Sequence, residues 1–293
     1  MTIDPSFLDE LKELKFILKR RVQSLYAGGR PSIQHGRGLE IIDYPEYSPG
    51  DDFRLVDWRL YARTEKLYIK RFEEERDLET HVLLDASASM DFRTTSISKY
   101  DFAGSIALGF AYIASVNNEK FALGLYSKEL RDVIQPLRGK TNIFRVIDLL
   151  NKTKLRGETD LGVSATQYSK MLKSKSFAVV VSDFLEPIES LREGFYRLAK
   201  HVKDLIIVQV LDPGEISFRW SEDVKFKDLE TSRMKPTYLS PTFKAEYERR
   251  FNEHINSLQE IAHDLGCDFI SLKTDSSITE AFVDLLGGAK RHA

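Results

Sequence analysis

The sequence predicts an α/β fold: a Rossmann-like, mostly parallel sheet with helices on both faces, preceded by an N-terminal helix and a small β-rich subdomain. Two observations support this prediction. From Glu79 onward, short apolar runs alternate with stretches of helical periodicity, which is typical of βαβ units. Residues 177–181 are apolar at every position, as expected for a strand that is buried on both faces of a sheet.

Composition limits the classes of function. The chain has 293 residues, of which 42% are hydrophobic, so a sizeable core is available. Its 43 Lys and Arg are balanced by 45 Asp and Glu, which excludes binding of nucleic acid through bulk positive charge. Cys267 is the single cysteine, so an internal disulfide or a CxxC site is excluded and a reducing compartment is favoured. No apolar run approaches the roughly 18 residues of a membrane-spanning helix, and we expect a cytoplasmic protein.

Residues 1–38 are predicted to form an amphipathic helix followed by a glycine-rich loop. Between Phe7 and Leu25 the apolar positions recur every three or four residues, which gives the helix one apolar face. We expect this face to pack on the main domain. Peripheral contact with a membrane is possible but not indicated, because the apolar face lacks Trp and Glu10 and Glu13 dilute the positive charge.

Residues 39–78 are predicted to form a small β-rich subdomain of short extended pieces, including Val56, Trp58 and Leu60. Pro49 and Gly50 form a turn signal, since proline presets the first φ and glycine allows the positive one. Arginine and aromatic residues alternate here, a pattern also found in nucleic-acid-binding proteins. Acidic residues supply counter-charges throughout the segment, so we expect an internally paired subdomain or a protein-docking surface, and no nucleic acid.

Residues 79–293 are predicted to form the main domain. In chain order we expect strands at 81–84, 121–126, 177–181, 205–211 and 269–272, and helices at 99–116, 143–150, 161–172, 188–199, 243–262 and 278–286. Between about 214 and 240 the alternation breaks, and two short β-like runs around a turn predict a β-hairpin insertion.

Side chains with oxygen atoms stand after two of the predicted strands and at the start of one predicted helix. Asp85, Ser87 and Ser89 come directly after the first strand, Thr159 opens a helix, and Asp183 follows the most apolar strand. Since parallel strands end at one edge of the sheet, we expect these side chains to meet there, on surface loops. Two carboxylates with three hydroxyls are the hard oxygen ligands that Mg²⁺ prefers, and Mn²⁺ or Ca²⁺ would also suit them.

Simpler roles and enzymatic alternatives remain open for these residues. Thr159 could be a helix N-cap and Asp183 could cap a turn. Gly139-Lys140-Thr141 resembles the end of a phosphate-binding loop, but Ile134 stands where that loop needs its first glycine. A phosphohydrolase with Asp85 as nucleophile is the main alternative, although Ser87 stands where such enzymes carry a second carboxylate.

Two resemblances to known families follow from these motifs. The DxSxS string at Asp85, the threonine of Gly157-Glu158-Thr159 and the later Asp183 resemble the metal-ion-dependent adhesion site (MIDAS) of von Willebrand factor A (VWA) domains. More specific strings resemble the DUF58 family of VWA-like proteins, and they span much of the chain: Tyr47-Ser48-Pro49-Gly50-Asp51-Asp52-Phe53-Arg54, Asp57-Trp58-Arg59 and Leu84-Asp85-Ala86-Ser87-Ala88-Ser89-Met90.

The resemblance to DUF58 implies a function. Proteins of that family are typically encoded beside MoxR-type AAA+ ATPases and are thought to act as adaptors, with the metal site binding a carboxylate of another protein. We therefore expect a non-catalytic, metal-dependent interaction adaptor with a chaperone-like or complex-maturation role. Its expected partner is a MoxR-type ATPase or another VWA protein, which would supply an Asp or Glu to the metal. The alternative is a Mg²⁺-dependent phosphohydrolase using Asp85.

Overall fold

The computed structural model describes residues 5–8, 11, 41–72, 79–172, 176–216, 223–227, 234–238 and 241–287 of the chain. The chain divides into two compact units. One is formed by Met1–Tyr26 together with Leu78–Ala293, and the other by Ala27–Asp77.

The larger unit contains a six-stranded sheet. Its strands are β3 (Glu79–Asp85), β4 (Lys120–Tyr126), β5 (Leu130–Arg138), β6 (Ser176–Ser182), β7 (Asp204–Leu211) and β10 (Asp268–Lys273). The strands β1 (Ile41–Asp43) and β2 (Arg71–Phe72) belong to the smaller unit, and β8 (Asp223–Lys227) and β9 (Met234–Tyr238) form a separate hairpin. The order across the sheet is β10-β7-β6-β3-β4-β5. All neighbours are parallel except β4 and β5. The predicted α/β class with a mostly parallel sheet is confirmed.

Helices connect these strands. In chain order, after α1 of the smaller unit, they are α2 (Lys99–Val116), α3 (Ile143–Lys152), α4 (Leu161–Tyr168), α5 (Ile188–Ala199), the single turn α6 (Pro213–Ile216), α7 (Pro241–Leu265) and α8 (Ile278–Gly287).

The chain reverses its direction across the sheet between β3 and β6. From β3 it passes through α2 to β4 on one side, and after β5, α3 and α4 it returns as β6 on the other side. Leu84 near the end of β3 is aligned with Leu125 of β4 and with Val181 of β6. Such a reversal leaves a crevice beyond the carboxyl ends of the two strands, where α/β proteins bind their ligands.

Helices cover both faces of the sheet, because successive side chains of a strand point to opposite faces. In β6, Val179 and Val181 pack with the side chains of α2, α3 and α8, whereas Ala178 and Val180 pack with those of α4, α5 and α7. All four are completely buried. This explains why the sequence of β6 is apolar throughout instead of alternating.

The start of the predicted N-terminal helix lies against this core. Phe7 and Leu11 belong to the apolar cluster on the α2 face, and Leu11 is 1% exposed. Packing on the main domain was the expected role for this apolar face, and these residues agree with it. The remainder of the predicted helix and loop in residues 1–38 lies outside the described residues.

Strand β5 was not predicted from the sequence. It pairs antiparallel with β4 in a hairpin and lies at the edge of the sheet. Its sequence, LRDVIQPLR, contains Pro136 and is partly exposed along its whole length. Proline lacks an amide donor and is tolerated at a sheet edge but not in a central strand. Its presence in the sequence therefore argued against a strand here.

The smaller unit combines a short sheet with a helix. Strands β1 (Ile41–Asp43) and β2 (Arg71–Phe72) pair antiparallel, and the predicted Pro-Gly turn is present, with Gly50 at φ 111°. Trp58 and Leu60 lie in helix α1 (Trp58–Thr64), so the expected extended structure was wrong there. The carboxylate of Asp57 accepts hydrogen bonds from two amide groups of the first turn and caps this helix.

The hairpin insertion is confirmed. Strands β8 (Asp223–Lys227) and β9 (Met234–Tyr238) pair antiparallel as a sheet of their own between α6 and α7. The turn expected between them lies outside the described residues. Among the helices that the structure describes, none is both long and apolar enough to span a membrane.

Candidate metal-binding site

The carboxyl ends of the two central strands carry the predicted acidic residues. Asp85 is the last residue of β3, and Asp183 directly follows β6. Asp85 is 0% exposed and Asp183 is 2% exposed. Ser87 is also fully buried, so our expectation that the site lies on surface loops was wrong for these residues.

Hydrogen bonds fix both oxygens of Asp85. Its Oδ1 accepts a bond of 2.8 Å from the amide of Ser87. Its Oδ2 accepts bonds from the hydroxyls of Ser182, at 2.6 Å, and of Thr159, at 3.3 Å. Three chain segments far apart in sequence therefore meet at one carboxyl group.

Backbone contacts bring the Thr159 loop to the site. The amide of Ala88 donates to the carbonyl of Gly157 over 3.0 Å, and the amide of Arg156 donates to the carbonyl of Ala86 over 3.3 Å. Gly157 has φ 83°, a left-handed conformation that glycine adopts without steric cost. Thr159 is not the N-cap of α4, since Asp160 fills that position through the amide of Val163.

The hydroxyls of Ser87 and Ser89 complete the cluster. Their oxygens lie 3.0 Å apart, and the hydroxyl of Ser89 is also close enough to Asp183 to contribute to lowering the pKa of that carboxyl group. Two adjacent ligands of an octahedral Mg²⁺, each at about 2.1 Å, are separated by about 3.0 Å. The spacing and the chemistry of these donors therefore fit such an ion. In the part of the chain that the structure describes, no group of three or more His, Cys, Asp and Glu is arranged for metal binding, so a site here depends on hydroxyls.

The two carboxyl groups have opposite pKa shifts. Burial, reinforced by the negative charge of Asp183, raises the pKa of Asp85 to about 7, although bonds from Ser182 and Ser87 oppose the shift. Burial also acts to raise the pKa of Asp183, but the ammonium of Lys99 outweighs it and the pKa is lowered. Asp183 is therefore ionised at neutral pH, whereas Asp85 is poised near its midpoint.

Lys99 is the site residue that the sequence reading missed. It is 0% exposed, and its Nζ donates to Asp183 Oδ2 over 2.7 Å and to Glu215 Oε1 over 2.5 Å. A signal was present in the sequence: Lys99 is the first residue of α2, where a positive charge opposes the helix dipole. A positive charge at this position has to be compensated by negatively charged partners elsewhere in the fold. Ser182, hidden in the apolar run before Asp183, was also missed.

A third buried carboxylate holds the surrounding loops together. Asp212, after β7, accepts hydrogen bonds from the amide and hydroxyl of Thr94 and from the amide of Gly214. The amide of Asp212 in turn donates to Glu215 Oε2 over 3.1 Å. The loops that follow β3, β6 and β7 are thus joined by a continuous polar network around Lys99.

Comparisons with known proteins identify the family. The chain is 25% identical to the uncharacterized protein Rv1480 of Mycobacterium tuberculosis over 293 residues, which is 99% of this chain and 92% of that protein. Among solved structures it is similar to BatB from Bacteroides thetaiotaomicron, with a TM-score of 0.44, 14% identity and coverage of 70% of this chain and 95% of BatB. It is also similar to the SpRpn10 VWA domain, with a TM-score of 0.43, 14% identity and coverage of 71% and 94%. The family profile described as "Protein of unknown function DUF58" matches residues 43–257, most of the chain, and the chain therefore belongs to the DUF58 family.

Proposed function

We propose that this protein is a non-catalytic interaction adaptor that holds a divalent cation, Mg²⁺ in the first instance, and uses it to bind an Asp or Glu of another protein. The observation that supports this proposal is the convergence of Asp85, Ser87, Ser89, Thr159 and Asp183 in the crevice between β3 and β6. Mn²⁺ or Ca²⁺ would satisfy the same oxygen donors.

Each residue has a distinct part in this proposal. Ser87, Ser89 and Thr159 offer neutral oxygens, and Asp85 contributes the negative charge that retains the ion. Asp183 adds a second negative charge, which it shares with the ammonium of Lys99. When bound, the ion supplies a positive charge that attracts a partner's carboxylate.

The rival function, phosphoryl transfer with Asp85 as nucleophile, is less compatible with the surroundings of that residue. A nucleophilic carboxylate must contact the phosphorus atom of its substrate. Asp85 is fully buried, and both of its oxygens accept hydrogen bonds. A small ion can enter such a crevice more easily than a phosphoester. Turnover of generic phosphoesters that disappears in Asp85→Asn would nevertheless support the rival.

The partner belongs to the same proposal. From the DUF58 membership we propose a MoxR-type AAA+ ATPase, or a second VWA protein, that presents an acidic side chain to the ion. In this arrangement the adaptor links the ATPase to a client during chaperone-like work or complex maturation.

Calorimetric titration with Mg²⁺ tests the site directly. Asp85→Ala should abolish measurable binding, whereas Ser87→Ala and Ser89→Ala should weaken it less, because water can replace one neutral oxygen. Asp91→Ala is the matched control, since Asp91 is an exposed carboxylate of the same loop. Thermal melts of each variant show whether the fold is intact. Unchanged affinity in folded Asp85→Ala would contradict the proposal.

Thr159→Ala separates metal binding from partner binding. We expect it to weaken capture of the partner more than binding of Mg²⁺, because the Thr159 hydroxyl lies at 3.3 Å from Asp85, the longest of that carboxylate's bonds, and is free to turn towards an ion that a partner completes. The measurement is co-purification of a MoxR-type ATPase from native extract with and without EDTA. Equal recovery by the wild type, Thr159→Ala and Asp85→Ala would contradict the adaptor function.

A further inference from the structure

The ammonium of Lys99 is a cation built into the site. It contacts Asp183 and Glu215 at 2.7 and 2.5 Å, lies 5.6 Å from the centre of the Phe92 ring, and is completely shielded from solvent. A buried ammonium is stable only when carboxylates compensate its charge. Lys99 has two such carboxylates, although one negative charge is enough to balance its positive charge.

The two carboxylates differ in what else they can do. Asp183 follows the end of β6, next to the end of β3 that carries Asp85, and its negative charge acts on Asp85, so it belongs to the proposed metal site. Glu215 lies away from it in α6, where its Oε2 accepts the amide of Asp212 and its backbone carbonyl accepts the hydroxyl of Tyr247 over 3.0 Å. Glu215 is thus held in place by its other hydrogen bonds, whereas Asp183 is shared between Lys99 and the proposed metal site.

We propose that Lys99 competes with the divalent cation for Asp183 and thereby sets the affinity of the site, with Glu215 retaining the ammonium when the ion engages Asp183. This inference rests on the proposed function only for the identity of the site. A divalent ion beside Ser89 and an ammonium on Asp183 repel each other and draw on the same negative charge. Lys99 therefore keeps the site weakly binding until a partner's carboxylate adds further negative charge.

The double variant Lys99→Met/Glu215→Gln tests competition without changing net charge. It removes one positive and one negative charge together, leaves Asp183 without its internal cation, and fits an unbranched thioether beside the Phe92 ring. We expect calorimetry to show Mg²⁺ affinity at least about tenfold higher than in the wild type. If the affinity depended only on the net charge of the protein, the double variant would bind Mg²⁺ no more tightly than the wild type.

Two controls complete the experiment. Arg93→Met removes an exposed positive charge from the same loop and should leave the affinity near that of the wild type. Adding Asp85→Ala to the double variant should abolish the gain, which shows that the ion binds at this site. Thermal melts monitor folding, and Lys99→Arg, which keeps the charge, should remain as weak as the wild type.

The outcomes separate this inference from the proposed function. If the wild type binds Mg²⁺ and the folded double variant binds it equally or more weakly, the competition is refuted and the adaptor function stands. If the wild type shows no binding and the double variant does, the metal-dependent function fails for this chain and the competition is supported. If neither binds, both are refuted.

Discussion

Asp85 and Asp183 are both buried at the carboxyl ends of neighbouring strands, yet the pKa of Asp183 is lowered whereas that of Asp85 is raised to about 7. The difference comes from their partners: Asp183 contacts the Lys99 ammonium, whereas Asp85 contacts only neutral donors. For Asp85, ionisation beside an existing negative charge is costly, and this cost disappears when a cation arrives. Under the proposed function, proton release from Asp85 and metal binding are therefore coupled at a single residue.

This coupling predicts a pH dependence of metal affinity. With a pKa of about 7, roughly one tenth of the Asp85 carboxyls are ionised at pH 6 and roughly nine tenths at pH 8. Since only the ionised form retains the ion, Mg²⁺ should bind about tenfold more tightly at pH 8 than at pH 6. Isothermal titration at the two pH values measures this ratio.

Glu186 requires a control in that experiment. Burial also raises its pKa to about 7, and it bonds to the amide of Leu161 instead of to the cluster. Glu186→Gln should keep the tenfold ratio. Loss of the ratio in this variant would assign the titration to Glu186 and contradict the role given to Asp85.

Sequence reasoning identified the residues of the site that belong to a pattern and missed those that do not. The DxSxS string and the positions of Thr159 and Asp183 after predicted elements were visible in one dimension. The position of Lys99 at the start of α2 was also visible, but its role was not, because its partners Asp183 and Glu215 are 84 and 116 residues away in sequence. Burial of Asp85 was also unpredictable, since it depends on how the loop of residues 156–159 covers the end of β3.

Among the secondary-structure elements, helices α4 and α5 are packed unusually closely. A methyl group on Gly194 of α5 would lie 2.6 Å from Leu161 Cγ and 3.0 Å from the backbone carbonyl carbon of Leu161, the first residue of α4. Backbone at this distance cannot move without displacing the helix. Since α4 follows the Thr159 loop directly, the spacing of the two helices also fixes one side of the site.

Gly194→Ala should therefore destabilise the protein despite the better helix propensity of alanine. We expect a cost of about 1–3 kcal/mol from overpacking, reduced by up to about 1 kcal/mol of propensity. Chemical denaturation measures the free energy of unfolding. Arg192→Ala, at an exposed position of the same helix, is the control and should change stability by less than about 0.5 kcal/mol. A neutral effect of Gly194→Ala would mean that α5 shifts freely.

Elements with strong periodicity were predictable, and those determined by a single residue were not. Helix α5 matches its predicted bounds because it buries one regular face, and α2 matches them because it is buried along almost its whole length. Strand β5 was hidden by Pro136, and α1 depends on the cap that Asp57 provides. In both cases a neighbouring strand or a capping carboxylate, and not the local pattern, selects the structure.

At the scale of the whole molecule, a ligand of this crevice would join three distant parts of the chain. Mg²⁺ at 100 times its dissociation constant should stabilise the folded state by about 2.7 kcal/mol, a rise in Tm of roughly 5–10 °C for a domain of this size. Hydrogen exchange should slow in residues 85–89, 157–160 and 182–185 together. Asp85→Ala should show neither effect, and a Tm rise of equal size in that variant would assign the stabilisation to another site.

The overall class of fold followed from the sequence, whereas the arrangement of strands did not. Alternation of β and α patterns requires crossover connections and hence a parallel sheet. It does not say on which side of β3 the returning strand β6 inserts, because that choice depends on how helices from both halves pack. The position of the crevice, and with it the meeting of Asp85 and Asp183, is a property of the assembled sheet.

The insertion of β6 beside β3 has a consequence for biosynthesis. Asp85 bonds to Ser182, 97 residues later in the chain, and Lys99 bonds to Glu215, 116 residues later. At about 5–20 residues per second, a ribosome needs on the order of 5–20 s to add the second half of the site after the first. During that interval the carboxylate and the ammonium have no native partners, and they remain in water. A nascent chain therefore lacks the native arrangement of these residues until β6 has been inserted, so the proposed binding of metal and partner has to wait until the sheet is nearly complete.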